Sequence, residues 1–210
     1  RSAPNGVVVA STSPSFPAGD ILTIHQGVTV KMQFNNQTMS VNANATLNLL
    51  GTATEPVVLT TIDDDTYGGD TNNNGPSTAA ANFWNGVNYT TTGISGVVEH
   101  VIIRGSGRNG AAGFACTTSA VSFRDVRVEL CSNDGFRVTA VAGTNAFNLI
   151  ATQCVTGIDI TSGAINIVHA TVTGNSGVGF VRATAWSGKV RDSIVWGNTG
   201  GNFSGTFTAA

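Results

Sequence analysis

Apolar and polar residues alternate in short runs along most of the chain: Ile21-Leu22-Thr23-Ile24, Val28-Thr29-Val30, Ala45-Thr46-Leu47-Asn48-Leu49, Val57-Val58-Leu59 and Val101-Ile102-Ile103. A period of two predicts half-buried strands, and no segment carries the 3.6-residue spacing of an amphipathic helix. A longer beat overlies the short one. Gly113, Gly135, Gly157, Gly179 and Gly201 follow one another at a single constant interval. Phe114, Phe136, Ile158 and Phe180 come directly after four of them, and Cys116, Val138 and Ile160 lie a little further along each strand. Val128, Ile150, Val172 and Ile194 make a second apolar column at the same spacing. Such a period marks a repeat architecture, in which each unit buries its apolar face by stacking on the next. Within Gly135-Phe136-Arg137-Val138-Thr139, Phe136 and Val138 are expected inward, Arg137 outward, and Gly135 at the turn opening the strand. Gly157-Ile158-Asp159-Ile160-Thr161 repeats the unit with another outward charge. The last copies decay: Arg182 falls in an inward column and Asn202 stands where an aromatic is expected.

The expectation is an all-β fold, one right-handed parallel β-helix of roughly eight coils with ~22 residues per coil in the C-terminal half, about 35–40 Å long. Residues 1–19, with Pro4, Pro14 and Pro17, read as a lead-in segment, and residues 20–62 as about two irregular coils. A polar loop spans residues 63–82. Strands resume from Trp84, and the regular register runs from 113 to 201. All five prolines fall at or before Pro76, so the remainder can donate every backbone N–H to a ladder.

Composition narrows the function classes. Only 10% of residues are charged, the net charge is −2, and Lys31 and Lys189 are the only lysines. That balance argues against nucleic acid and anionic membrane as partners. No apolar run approaches a membrane span, so no membrane insertion is expected. Arg1-Ser2-Ala3-Pro4 reads as a mature or trimmed start. Cys116 falls in the inward column as a buried small hydrophobe. Cys131 and Cys154, whose spacing misses the glycine interval by a single position, would lie roughly 6 Å apart across adjacent strands. That separation suits a disulfide, and two unpaired core thiols are the alternative.

The chain resembles the secreted right-handed parallel β-helix repeat proteins of bacteria, whose coils are similar to those of pectate lyases. The stretches that carry the resemblance are Gly27-Val28-Thr29-Val30-Lys31-Met32 and Leu49-Leu50-Gly51-Thr52-Ala53-Thr54-Glu55-Pro56-Val57-Val58-Leu59-Thr60. The loop from Asp63 to Asn72 and Trp84-Asn85-Gly86-Val87 continue it. It implies a secreted or cell-surface location. It does not specify an activity, because the scaffold serves enzymes, adhesins and spacers alike.

Candidate chemistry gathers in the acidic loop. Asp63, Asp64, Asp65 and Asp70 lie within eight positions, and Asp70-Thr71-Asn72-Asn73-Asn74-Gly75 matches the opening of a calcium loop. Asp63, Asp64, Asp65, Asp70, Asn72 and Asn74 are therefore the candidate Ca²⁺ ligands, and similar acidic loops occur in the proteins the chain resembles. Ala81 stands where the usual bidentate glutamate would be, and a solvated loop held by Asx turns is the alternative. His25, His100 and His169 lack paired ligand spacing for zinc, and no serine carries a nucleophile motif.

A polysaccharide lyase or glycoside hydrolase would need carboxylates gathered on neighbouring rungs. The outward positions one rung apart read Ala115, Arg137, Asp159 and Val181. Other outward charges are Glu99, Arg104, Arg124, Asp125, Arg127, Glu129, Arg191 and Asp192. Ice binding would need ranks of Thr-x-Thr; Thr171-Val172-Thr173 is one such unit, but the equivalents at 149–151 are Leu149-Ile150-Ala151, so no rank builds up. The expected role is a non-enzymatic extracellular structural or adhesive module. Its partners would be further copies stacked head to tail as a filament, neighbouring domains of a longer chain, or surface glycans. The alternative is a polysaccharide-active enzyme or a glycan-binding domain on the same fold. Neither Val7–Ala10 nor the stretch from Phe203 to Ala210 can cap an end as a helix.

Overall fold

Alternating strands that are individually too short to bury a core do so here by coiling. The computed structural model, which describes residues 6–140 and 145–207, winds the chain into a parallel β-helix of about eight turns, with about 23 residues between stacked positions. Each turn contributes to three ladders, and every ladder pairing is parallel. The first face stacks β1 (Val7–Ala10), β4 (Thr29–Met32), β7 (Val57–Thr61) and the end of β9 (Gly96–Arg104). It continues through the middles of β11 (Val121–Ala140) and β12 (Asn145–Gly163) to β14 (Thr171–Thr173) and β17 (Ile194–Trp196). The second face stacks β2 (Ser15–Phe16), β5 (Thr38–Val41), β8 (Gly86–Tyr89) and β10 (Phe114–Cys116), then the ends of β11 and β12, β15 (Phe180–Arg182) and β18 (Phe203–Ser204). The third uses β3 (Ile21–His25), β6 (Thr46–Leu50), the starts of β9, β11 and β12, β13 (Asn166–Val168) and β16 (Val190–Arg191). The ladder thus begins inside the lead-in segment. No helix among the described residues is long and apolar enough to cross a membrane.

The long strands turn corners through residues in the left-handed region. His100, Asp125, Asn148, His169 and Asp192 have φ between 49° and 58° and occupy equivalent places on successive rungs. Asp, Asn and His tolerate that conformation better than other side chains. A second corner column runs through Gly105, Leu130, Gln153, Gly174 and Gly197.

The repeated glycines do a different job from the one expected. Gly113, Gly135, Gly157 and Gly179 do not take positive φ, and Gly135 and Gly157 lie inside strands. A Cβ on Gly135 would come within 2.7 Å of the Gly157 carbonyl oxygen, and one on Gly157 within 2.5 Å of that of Gly179. Close approach of one rung to the next therefore requires glycine at these places.

Two sequence columns shift by a single position. The inward stack is Val128, Ala151, Val172 and Val195, not Val128, Ile150, Val172 and Ile194. Ile150 and Ile194 belong to the outer register, and Ile194 is 62% exposed. The turn from Val128 to Ala151 is longer than the glycine interval and that from Ala151 to Val172 shorter, so these two offsets cancel, while that from Val172 to Val195 is longer again and leaves the column one position late. An irregularity between Cys131 and Asp134 absorbs one of them. The last turn is lengthened in the same way. Phe180 consequently stacks on Phe203, the aromatic column continues, and Asn202 rather than Gly201 follows Gly179. Buried Phe114 stands between Val87 and Phe136, with its ring 5.0 Å from that of Phe123 and 6.0 Å from that of Phe136.

Candidate functional site

Alternation on the first face points every second residue outward, and on the early rungs from Lys31 to Glu129 one of the outward rows is charged at every rung but that of Thr60. Lys31 of β4 lies beside Thr60 of β7, and Arg104 of β9 beside Glu129 of β11, on consecutive rungs of that face. The acidic loop leaves β7, crosses this row and returns to β8 after Trp84, whose indole N–H donates to the Arg104 carbonyl at 2.7 Å. Lys31, Thr60 and Asp64 are fully buried beneath it. Burying charge is costly unless each charge finds a partner, and here each does. Asp64 accepts from the Thr60 hydroxyl at 2.6 Å and the Thr66 N–H at 3.3 Å, and it pairs with Arg104 Nε at 3.0 Å. Arg104 Nη1 reaches Glu129 Oε1 at 3.0 Å, and the other Glu129 oxygen pairs with Arg127. The Tyr67 ring lies 5.2 Å from the Arg104 guanidinium. Lys31 donates to the Gly69 carbonyl. Desolvation lowers the Lys31 pKa, while Asp65, Asp64, Asp70 and Asp63 pull it back up.

The six expected calcium ligands are divided among several tasks. Asp63 accepts from the side-chain amides of Asn72 at 2.8 Å and Asn74 at 3.1 Å, so these three do come together. Asp64 turns inward to Arg104. Asp65 accepts from the Ser77 N–H at 2.7 Å and Asp70 from the Gly75 N–H, five residues on, at 3.1 Å, while the bond from the Thr66 N–H to Asp64 makes an Asx turn. Among the described residues no three His, Cys, Asp or Glu side chains stand close enough to hold a metal ion. A cation beside Asp63 would need Asn72 and Asn74 to turn their amide oxygens toward it.

A second charged cluster sits on the second face. The outward register reads Ala115, Arg137, Asp159 and Val181, as expected. Sequence reasoning missed Asp134, which is buried and accepts from Arg137 Nε at 2.8 Å. Its signal was position: it directly precedes a repeat glycine and stands just ahead of Arg137. Burial raises the Asp159 pKa, Asp134 adds to the rise and Arg137 opposes it. The histidines remain apart. His100 Nε2 lies 3.6 Å from Asp125, and His25 and His169 are exposed. The cysteines are free and buried.

The two terminal rungs complete the picture. Their strands have a ladder on one side only among the described residues. Val8 belongs to the inward column through Val30 and Phe203 to that of Phe180, yet these are 50% and 51% exposed. Beside Phe203 a cavity of about 870 Å³ is bordered by Arg182, Trp186, Lys189, Val195 and Phe207. Phe207 packs 5.0 Å from Phe203 and 5.7 Å from Phe180. The inward-register Arg182 does not break the stack: its guanidinium lies over the Trp186 and Phe207 rings. No protein-family model matches the chain, and neither does any curated protein.

Proposed function

We propose that this β-helix is a non-enzymatic extracellular structural or adhesive module, a rigid rod whose ends stack on further rungs. Those rungs belong to a second copy or to a longer chain. The observation that carries the reading is the pair of open ends: core-register side chains, Val8 at one and Phe203 at the other, stand half exposed beside one-sided strands. Such edges are templates for strand addition, and head-to-tail contact that does not close gives a filament. The resemblance to secreted β-helix proteins supports the extracellular location. Pairing of Arg104 with Asp64 and Glu129 supports a scaffold over a catalyst, since those charges are occupied with one another. Light scattering over a wide concentration range tests the assembly. Association lost on removing residues 1–12 or 203–210, or on Val8→Lys, is the expected result. A strictly monomeric chain at every concentration removes self-assembly.

Calcium in the loop belongs to the same proposal, with Asp63, Asn72 and Asn74 as its nucleus. Added calcium then raises the melting temperature and chelator reverses it, and identical curves discard the site.

One observation favours the enzymatic alternative. Asp134 and Asp159 flank Arg137 on an outward face, and burial keeps the Asp159 carboxyl protonated to higher pH, as a general acid on a glycan requires. Reducing or unsaturated sugars released from an acidic polysaccharide, and lost in Asp159→Asn, would establish it.

A further inference from the structure

One interior corner of the solenoid carries a column of small polar side chains: Ser106, Cys131, Cys154, Asn175 and Asn198, one per rung. All five are buried. Side chains in this column lean along it. Asn175 Nδ2 donates to Asn198 Oδ1 at 2.8 Å and back to the Ala151 carbonyl at 3.2 Å, while Asn198 Nδ2 donates to the Val172 carbonyl at 3.0 Å. Cys154 Sγ faces the equivalent carbonyl, that of Val128, at 3.9 Å. Cys131 and Cys154 are direct ladder partners. Ladder partners lie about 4.8 Å apart, inside the span of Cα separations that disulfides accept. Cys116 has no such neighbour, because Tyr89 and Val138 stand above and below it.

We propose that Cys131 and Cys154 form an oxidation site, at which a disulfide bridges two neighbouring rungs from inside the solenoid. The co-reactant is a small-molecule disulfide. The Cys131 thiol gives its proton to solvent, and its thiolate attacks one sulfur of that molecule. The S–S bond breaks, and one thiolate leaves. The deprotonated Cys154 sulfur then attacks Cys131 in the mixed disulfide and expels the second thiolate. In balance, the two protein thiols give up two protons, that of Cys154 also to solvent, and two electrons, and the reagent takes up the same number of each to become two thiols. The hydrogen bond from the Cys154 thiol lowers the Cys131 pKa, which makes Cys131 the attacking sulfur. Burial pushes the Cys116 thiol up to about 11, leaving it the inert control.

The test incubates the purified chain with oxidised glutathione, natively and during refolding, and titrates thiols in denaturant. The expected count falls from three to one, the mass drops by two hydrogens, and digestion yields one linked peptide joining Cys131 to Cys154. The melting temperature rises on the order of 5 °C and returns on reduction. Cys116→Ser keeps the shift and Cys154→Ser abolishes it. Where Cys154→Ser fails to fold, the thiol count and peptide map of the unsubstituted chain decide alone. Three titratable thiols after both treatments, a bridge that includes Cys116, or a lasting glutathione adduct would overturn the site.

Discussion

The first face is two surfaces in one sheet. On its early rungs Lys31, Thr60, Arg104 and Glu129 stack beneath the acidic loop, where all four are buried or nearly so. On its late rungs the outward residues are Ile150 and Thr152, Thr171 and Thr173, then Ile194 and Trp196, and nothing covers them among the described residues. Thr152 stacks on Thr173, correcting the expected alignment of residues 149–151 with 171–173, but Glu129 and Trp196 flank the pair and no threonine rank builds. The strands are alike in both halves. What differs is the chain between them: Val57 lies one rung below Val101, and the acidic loop occupies much of that span, whereas the late turns carry no such insertion. Charge on a strand face and the excursion that neutralises it come together, and a turn without spare residues carries an uncharged face.

The largest way to break this comparison is Arg104→Ala. It leaves the fully buried Asp64 without its cation and the nearly buried Glu129 with Arg127 alone, a loss of about 3–5 kcal/mol for a broken buried pair. Urea midpoints measure it, and a loss no larger than that of Thr173→Ala would show the covered row to be ordinary surface. The second test lies in the regular half. Gly157→Ala puts a Cβ 2.3 Å from Val172 Cγ1 and 2.5 Å from the Gly179 carbonyl, so it is expected to cost about 1–3 kcal/mol by overpacking. Gly75→Ala meets no atom within 4 Å, and only its φ of 86° opposes it, a penalty of about 1–2 kcal/mol.

Third comes pH. Lys31 has a lowered pKa in the folded chain, so over the interval below its ordinary 10.5 the unfolded chain binds more protons. Stability from this group therefore rises as pH climbs through the folded pKa toward 10.5. The unsubstituted chain should gain on Lys31→Met over that window, and parallel curves would remove the buried cation as a cause. Asp159 has the opposite sign. Its raised pKa means stability present below 3.8 and lost as pH rises through the folded value, a slope that Asp159→Asn should flatten. The smallest effect is Thr173→Ala on the bare face, within about 0.5 kcal/mol.

Sequence alone determined that this is a parallel β-helix. Stacking puts like residues over like at a near-constant interval, and the glycine and phenylalanine columns print that interval directly. The second-face register Phe114, Phe136, Ile158 and Phe180 was legible because no bulge interrupts it. The first-face register was not, because corner irregularities lengthen or shorten a turn by a single position, and such a slip exchanges inward Val195 for outward Ile194. The left-handed series His100, Asp125, Asn148, His169 and Asp192 marks those corners, at intervals too uneven to read as a period. The acidic loop announced itself by composition, but not what it would meet. That Asp64 pairs with the distant Arg104, and that Asp63 gathers Asn72 and Asn74, follows from the loop folding across a strand face. Only the tertiary structure decides such pairings, because desolvated charges take whichever partner packing brings within reach.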